Sequence, residues 1–227
     1  MTNECILSIV IALLQQIHRT DQNMEEKISF ISDEYEIEGR LEKRSPQKGV
    51  VITHPHPLYG GDMHNKVVAA IAQVYRQRGY ATMRFNFRGV RYSQGSYGDG
   101  IGEQEDVRAA ISYLSDVNIN QIDLAGYSFG AWVNALAATN NLNIKNMIMV
   151  SPPVAFIDFG SISNLGSLGL IVSGSRDDIA PPDLIKKSYG AWNAAAKFEV
   201  INGADHFYAG DLDKLETILA AYLEGRE

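Results

Sequence analysis

One cysteine, Cys5, stands in the 227 residues. That excludes an internal disulfide framework and suits a reducing compartment, so a cytoplasmic location is expected. Positive charge is also short. Twenty Lys and Arg against 27 Asp and Glu leave a net charge of −7, which supplies no basic surface for nucleic acid. No window reaches the roughly eighteen apolar residues that a membrane-spanning helix needs. Gly-rich phosphate loops of the P-loop or dinucleotide type are missing, so no nucleotide cofactor is implied. Internal repeats and low-complexity segments are absent too. What remains is a length that fits one globular domain with a sizeable core.

Residues 5 to 17 form an apolar run about as long as a secretory h-region. Glu4 precedes it where Lys or Arg would be needed, and His18-Arg19-Thr20 follows in place of a small-residue cleavage site. Residues 1–23 therefore read as an N-terminal extension outside the catalytic fold, packed on the body or on a partner copy, or as an overlong start before Met24. Residues 24–227 read as the folded domain, and a homo-oligomer is left open.

The chain is organised around Ile122 to Leu136. A short apolar strand runs into Gly126-Tyr127-Ser128-Phe129-Gly130 and continues as a helix of small residues. This is a G-x-S-x-G pattern between a strand and a helix. A strand that turns directly into a helix strains the residue at its apex, and side chains two positions before and after would collide with neighbouring backbone. The strain exposes the Ser128 hydroxyl at the strand's carboxyl end.

On either side of this stretch, strands and helices alternate. Lys27–Ser32 and Tyr35–Lys43 read as a hairpin, and Gly49–Thr53 as a buried strand. Val67, Val68, Ile71, Val74 and Tyr75 keep helical spacing, with Gly79 ending that helix. Ala81–Phe87 reads as a strand, followed by a glycine-rich loop over 89–102. Glu103, Glu105 and Asp106 mark a helix's first turn. Strands follow at Met147–Val150, Leu168–Ser173 and Lys197–Ile201, with helices near 182–195 and from Leu212 onward. Such alternation implies a mainly parallel sheet covered on both faces, with its site beyond the carboxyl ends of the strands. There, Asp177 and Asp178 follow one strand and His206 another. His206 is the only histidine after Ser128.

The order Ser…Asp…His, together with His54-Pro-His-Pro-Leu-Tyr-Gly-Gly61, Arg84-Phe-Asn-Phe-Arg-Gly89 and Gly203-Ala-Asp-His-Phe207, resembles the α/β-hydrolase superfamily from about residue 27 onward. Within it the chain is similar to small lidless bacterial hydrolases of the dienelactone-hydrolase type. The resemblance implies an α/β-hydrolase fold: a mostly parallel sheet of about eight strands, helices on both faces and no cap domain. It also implies a Ser128–His206–Asp triad, and the superfamily's G-x-x-D-x-x-x-P turn selects Asp177 over Asp178. The expected reaction is hydrolysis of a small-molecule ester or thioester through an acyl-enzyme, with a peptidase or a non-catalytic binding protein of the same fold as alternatives.

An oxyanion needs backbone N–H donors. Phe129 follows the nucleophile, and in the loop after Gly49–Thr53 the prolines Pro55 and Pro57 have none to give, which leaves His56 and Leu58. Tyr59 and Tyr127 are expected to line the pocket, with other loop aromatics, among them Tyr92, Tyr97 and Phe156, at the site edge or in packing. His54, His56 and His64 suggest a zinc set, but oxyanion support and a histidine bonded to loop backbone suit that loop better, so no metal is expected. Arg88 and Glu103 are expected to pair under the glycine-rich loop. The short segment Ser151–Ser167 leaves no room for a helical cap, which predicts a shallow, open pocket.

Overall fold

The computed structural model describes residues 25–226, so the expectation for residues 1–23 lies outside the described residues. Eight strands form one sheet: β1 (Glu26–Ser32), β2 (Tyr35–Glu42), β3 (Lys48–Thr53), β4 (Ala81–Phe85), β5 (Gln121–Tyr127), β6 (Asn146–Val150), β7 (Leu168–Gly174) and β8 (Lys197–Ile201). Their order across the sheet is β1-β2-β4-β3-β5-β6-β7-β8. Only β2 runs against the rest, since it pairs antiparallel with both β1 and β4. The other neighbours pair in parallel. The predicted hairpin turn is present, with Asp33 at φ 53°, a value that Asp tolerates better than most residues.

Among the described residues five helices cover the sheet: α1 (Lys66–Gln77), α2 (Ile101–Asp116), α3 (Phe129–Ala138), α4 (Pro182–Asn193) and α5 (Leu212–Glu224). The central strands are apolar at successive positions because both faces are buried. Val51, Met147, Met149 and Ile171 pack in one core cluster with the inner sides of α2, α3 and α4. Val50, Ile52, Ile148, Val150, Leu170 and Val172 pack in the other, against α1 and α5. Alternation along each strand thus feeds two separate cores, and the carboxyl ends of β3, β5, β6, β7 and β8 finish on one edge.

Two expectations change. The strand predicted over Ala81–Phe87 stops at Phe85. Beyond it, Phe87 N–H donates to the His54 Nε2 ring nitrogen at 3.0 Å, so a side chain takes the place of a strand partner. Arg88 does not pair with Glu103. Its guanidinium is held by buried Asp106 at 2.8 Å and by Asp33 at 3.0 Å. Glu103 instead accepts the N–H groups of Gly98 and Gly100, both at 2.9 Å, fastening the glycine-rich loop onto the first turn of α2.

Candidate active site

Ser128 sits between β5 and α3 with φ 55° and ψ −120°. That is a strained conformation for a residue with a side chain. The two flanking glycines have measurable reasons. A Cβ on Gly126 would lie 2.6 Å from the Ala131 nitrogen and from Asn134 Nδ2. One on Gly130 would lie 2.6 Å from Thr53 Oγ1 and 2.7 Å from the His54 carbonyl oxygen. The second contact brings the elbow directly against the loop after β3, which is where an oxyanion loop must be.

The structure joins the three residues singled out in the sequence. Ser128 Oγ lies 2.9 Å from His206 Nε2, and His206 Nδ1 lies 2.9 Å from both carboxylate oxygens of Asp177. All three are buried. Asp177 Oδ1 also accepts from the N–H groups of Ile179 and Ala180 at 3.0 and 2.7 Å. Burial works to raise the Asp177 carboxyl, but the His206 hydrogen bond and charge, the Ala180 amide and the Ser151 hydroxyl outweigh it and hold it below the ordinary carboxylate value. With a carboxylate on Nδ1, the imidazole presents a bare Nε2 to the serine hydroxyl, the tautomer that accepts its proton. Asp178, next in the chain, is exposed.

Further side chains hold this line in place. Tyr127 Oη donates to the His206 carbonyl at 2.8 Å, and Ser151 Oγ lies 2.8 Å from Tyr208 Oη behind Asp177. Ser151 and Tyr208 adopt φ 47° and 52°. Tyr208 is one of the loop aromatics expected at the site edge, but its pairing with Ser151 depends on how the loops after β6 and β8 meet.

A cavity of about 640 Å³ opens over Ser128. This falls in the ordinary range of small-molecule sites, roughly 300–1,000 Å³. The segment between β6 and β7 carries no helix or strand and supplies Pro153, Phe156 and Ile157 as a wall instead. The expected opening to solvent is present, as Tyr59, Phe156 and Phe207 stand 86 %, 74 % and 69 % exposed at the mouth. Tyr127 borders the cavity but is itself buried, its ring in the core beneath His206. Tyr92 is exposed and does not line the cavity, and Phe159 packs on Trp192. Among the described residues that line the cavity, none is Asp, Glu, Lys or Arg.

The two neighbouring histidines of the loop differ. His54 is fully buried, donates from Nδ1 to the Pro55 carbonyl at 2.7 Å and accepts from Phe87 N–H. Burial lowers its pKa to about 4, against smaller opposing contributions from the Pro55 carbonyl and Asp62. His56 faces the cavity, and Leu58 N–H donates to its Nδ1 at 3.3 Å. The N–H groups of His56 and Phe129 have no acceptor among the described residues. His64 is exposed, and no three His, Cys, Asp or Glu side chains among the described residues are grouped so as to hold a metal ion.

Known proteins resemble this chain in sequence and in fold. A family model described as X-Pro dipeptidyl-peptidase (S15 family) matches residues 16–223. An uncharacterised protein of Rickettsia prowazekii (strain Madrid E) is 35% identical over 209 residues, which is 87% of this chain and 88% of the relative. Among solved structures, an α/β serine hydrolase homologue from Coxiella burnetii is 35% identical. It covers 87% of this chain and 97% of its own, with a TM-score of 0.81. A serine hydrolase without a lid from Xanthomonas campestris is 27% identical, over 88% of this chain and 94% of its own, also at 0.81.

Proposed function

We propose that this chain, which belongs to the X-Pro dipeptidyl-peptidase (S15) family and to the α/β-hydrolase superfamily, hydrolyses neutral carboxylic esters or thioesters through a Ser128 acyl-enzyme. The observation that carries the reading is the hydrogen-bonded line Ser128–His206–Asp177, opening into a cavity without a charged wall. Ser128 Oγ attacks the carbonyl carbon while His206 Nε2 takes its proton. His206 then returns that proton to the leaving oxygen or sulfur, and water repeats the cycle on the acyl-enzyme. Asp177 keeps the proton on Nδ1 and stabilises the imidazolium. The oxyanion is received by the N–H groups of Phe129 and His56. That of Leu58 is occupied by the His56 ring, which argues against it as donor.

The absence of charge in the wall separates this reading from the peptidase that the family's description suggests. Release of a dipeptide requires recognition of a free N-terminal ammonium, and an ammonium taken out of water needs a carboxylate partner. None lines this cavity among the described residues. A neutral acyl group meets no such requirement.

Labelling with a fluorophosphonate, turnover of p-nitrophenyl acetate and butyrate, and turnover of Ala-Pro-p-nitroanilide test the proposal together. Ester turnover and labelling that both vanish in Ser128→Ala are expected. A kcat/KM for the anilide tenfold or more above that for the esters would replace the esterase with the peptidase. Labelling unaffected by Ser128→Ala would remove the nucleophile.

A further inference from the structure

On the far side of the cavity from His206 a second line of hydrogen bonds ends on the oxyanion loop. Leu58 N–H donates to His56 Nδ1 at 3.3 Å, and His56 Nε2 lies 3.2 Å from Tyr97 Oη. A backbone N–H can only donate, so Nδ1 must be bare and the ring proton must sit on Nε2, directed at the Tyr97 oxygen. The Asp99 carboxylate acts on Tyr97 as a nearby charge. Burial and the Asp99 and Glu103 carboxylates push its hydroxyl up to about 12, so it stays protonated at neutral pH. The direction of both donors is therefore fixed: Leu58 to His56, and His56 to Tyr97.

The rings are packed as well. The His56 centroid lies 4.8 Å from that of Phe129, 5.2 Å from Tyr97 and 4.9 Å from Tyr59. His56 and Phe129 are the residues whose N–H groups have no acceptor among the described residues. Their side chains lie against each other, so whatever fixes the His56 ring also fixes the distance between the two donors.

We infer that Tyr97 and the His56 imidazole are positioning residues for the oxyanion site: Tyr97 selects the tautomer whose bare Nδ1 ties down Leu58 N–H, and the tied turn keeps the His56 N–H beside that of Phe129. The inference rests on the proposed ester hydrolysis and deepens it by naming what holds the oxyanion donors. A preorganised donor is worth far more than one that must be reoriented during the reaction. The line also gives the loop a sensitivity to acid. The groups facing His56 are Tyr97 and Asp99 from the glycine-rich loop, Phe129 from α3, Tyr59 from its own turn and His206 across the cavity. Burial lowers the His56 pKa below its ordinary value against the pull of Asp99. The ring is neutral at pH 7. As pH falls through its pKa, Nδ1 gains a proton and loses the Leu58 contact.

Three variants test this. In His56→Leu, kcat should fall about a hundredfold while KM changes less than about threefold, the mark of a group that serves the transition state. In His56→Asn, the amide oxygen sits where Nδ1 was and accepts from the N–H two residues on, as Asn does at helix starts. It should keep kcat within about tenfold of wild type and lose one ionisation from the acid limb of the kcat–pH profile. Tyr97→Phe should lower kcat about tenfold and leave the Leu58 amide open to hydrogen exchange, where wild type protects it. Wild-type kcat in a folded His56→Leu, or a loss confined to KM, overturns the inference. So does an unchanged acid limb in His56→Asn. Should His56→Leu fail to fold, normal kcat and normal Leu58 protection in Tyr97→Phe overturn it equally. Failure of the esterase reading shows differently, as absence of Ser128-dependent ester turnover in the wild type, with the Leu58 exchange result still deciding whether Tyr97 sets the tautomer.

Discussion

Two histidines border the cavity, and each stands in a hydrogen-bonded line with a carboxylate at or near one end. On the His206 side the carboxylate touches the ring directly, 2.9 Å from Nδ1, and the other end of the line is a hydroxyl. On the His56 side a phenol stands between ring and carboxylate, and the other end is a backbone N–H. The difference follows from what each ring is asked to do. A ring that must carry a proton, and hence a charge, is helped by an adjacent anion. A ring that must stay neutral to keep accepting a hydrogen bond is better served with the anion one group further away. On the proposed reading, similar parts arranged with and without an insulating tyrosine would serve as a proton carrier and a clamp.

Breaking the His206 line should give the largest effect. Ser128→Ala or His206→Ala is expected to lower ester turnover by about four to six orders of magnitude with the fold retained, read by steady-state kinetics beside circular dichroism. Retained esterase activity in purified Ser128→Ala would refute the mechanism. Asp177→Asn changes little in shape but removes the charge and the tautomer preference, so kcat should fall by several orders of magnitude, up to about 10⁴. A loss comparable to the hundredfold expected on the His56 side would mean that the two lines differ less than their geometry implies.

The third histidine sharpens the comparison by having no carboxylate in its hydrogen bonds. His54 is buried with both nitrogens committed to backbone groups, and its pKa is lowered to about 4 from 6.5. A base whose folded pKa is depressed binds its proton more readily in the unfolded chain. Stability is therefore fully present above pH 6.5, is lost as pH falls towards 4, and levels off below. The shift corresponds to roughly 3 kcal/mol, so the urea midpoint should fall markedly between pH 7 and pH 4.5. His54→Asn should be less stable at pH 7 and should show a flatter dependence over that window. An unchanged wild-type midpoint would mean that the loop opens to let His54 charge.

Much of this site was legible in the chain because its parts depend on local constraints. Gly126 and Gly130 announced the elbow, and Gly130 proves to be small because Thr53 and the His54 carbonyl press on it. His206 was identifiable because no other histidine follows Ser128. The covering of both sheet faces was implied by the alternation of strands and helices. What could not be read depends on how irregular loops meet. Tyr97 lies 41 residues from His56, at the end of a glycine-rich loop whose path no periodicity describes. Arg88 was placed near the correct helix but with the wrong acid, because Glu103 is consumed by the amides of Gly98 and Gly100. The early end of β4 had the same origin: the partner of Phe87 N–H is a histidine ring and not a strand.

The smallest effect belongs to the residue next to Asp177. Asp177 and Asp178 are adjacent in the turn after β7, and neighbouring side chains in an extended segment point opposite ways. The structure assigns them opposite surroundings: Asp177 is buried, with its oxygens on His206 and on the Ile179 and Ala180 amides, while Asp178 is exposed. An exposed carboxylate with no ion pair among the described residues affects a reaction behind the turn only through water. Asp178→Asn should therefore change kcat less than about tenfold and stability by no more than about 0.5 kcal/mol, measured against Asp177→Asn on the same ester. A hundredfold loss in Asp178→Asn beside an active Asp177→Asn would shift the turn by one residue and make Asp178 the acid. Mild effects in both would leave His206 without a carboxylate partner in this turn, and the contrast with His56 would then rest on the serine alone.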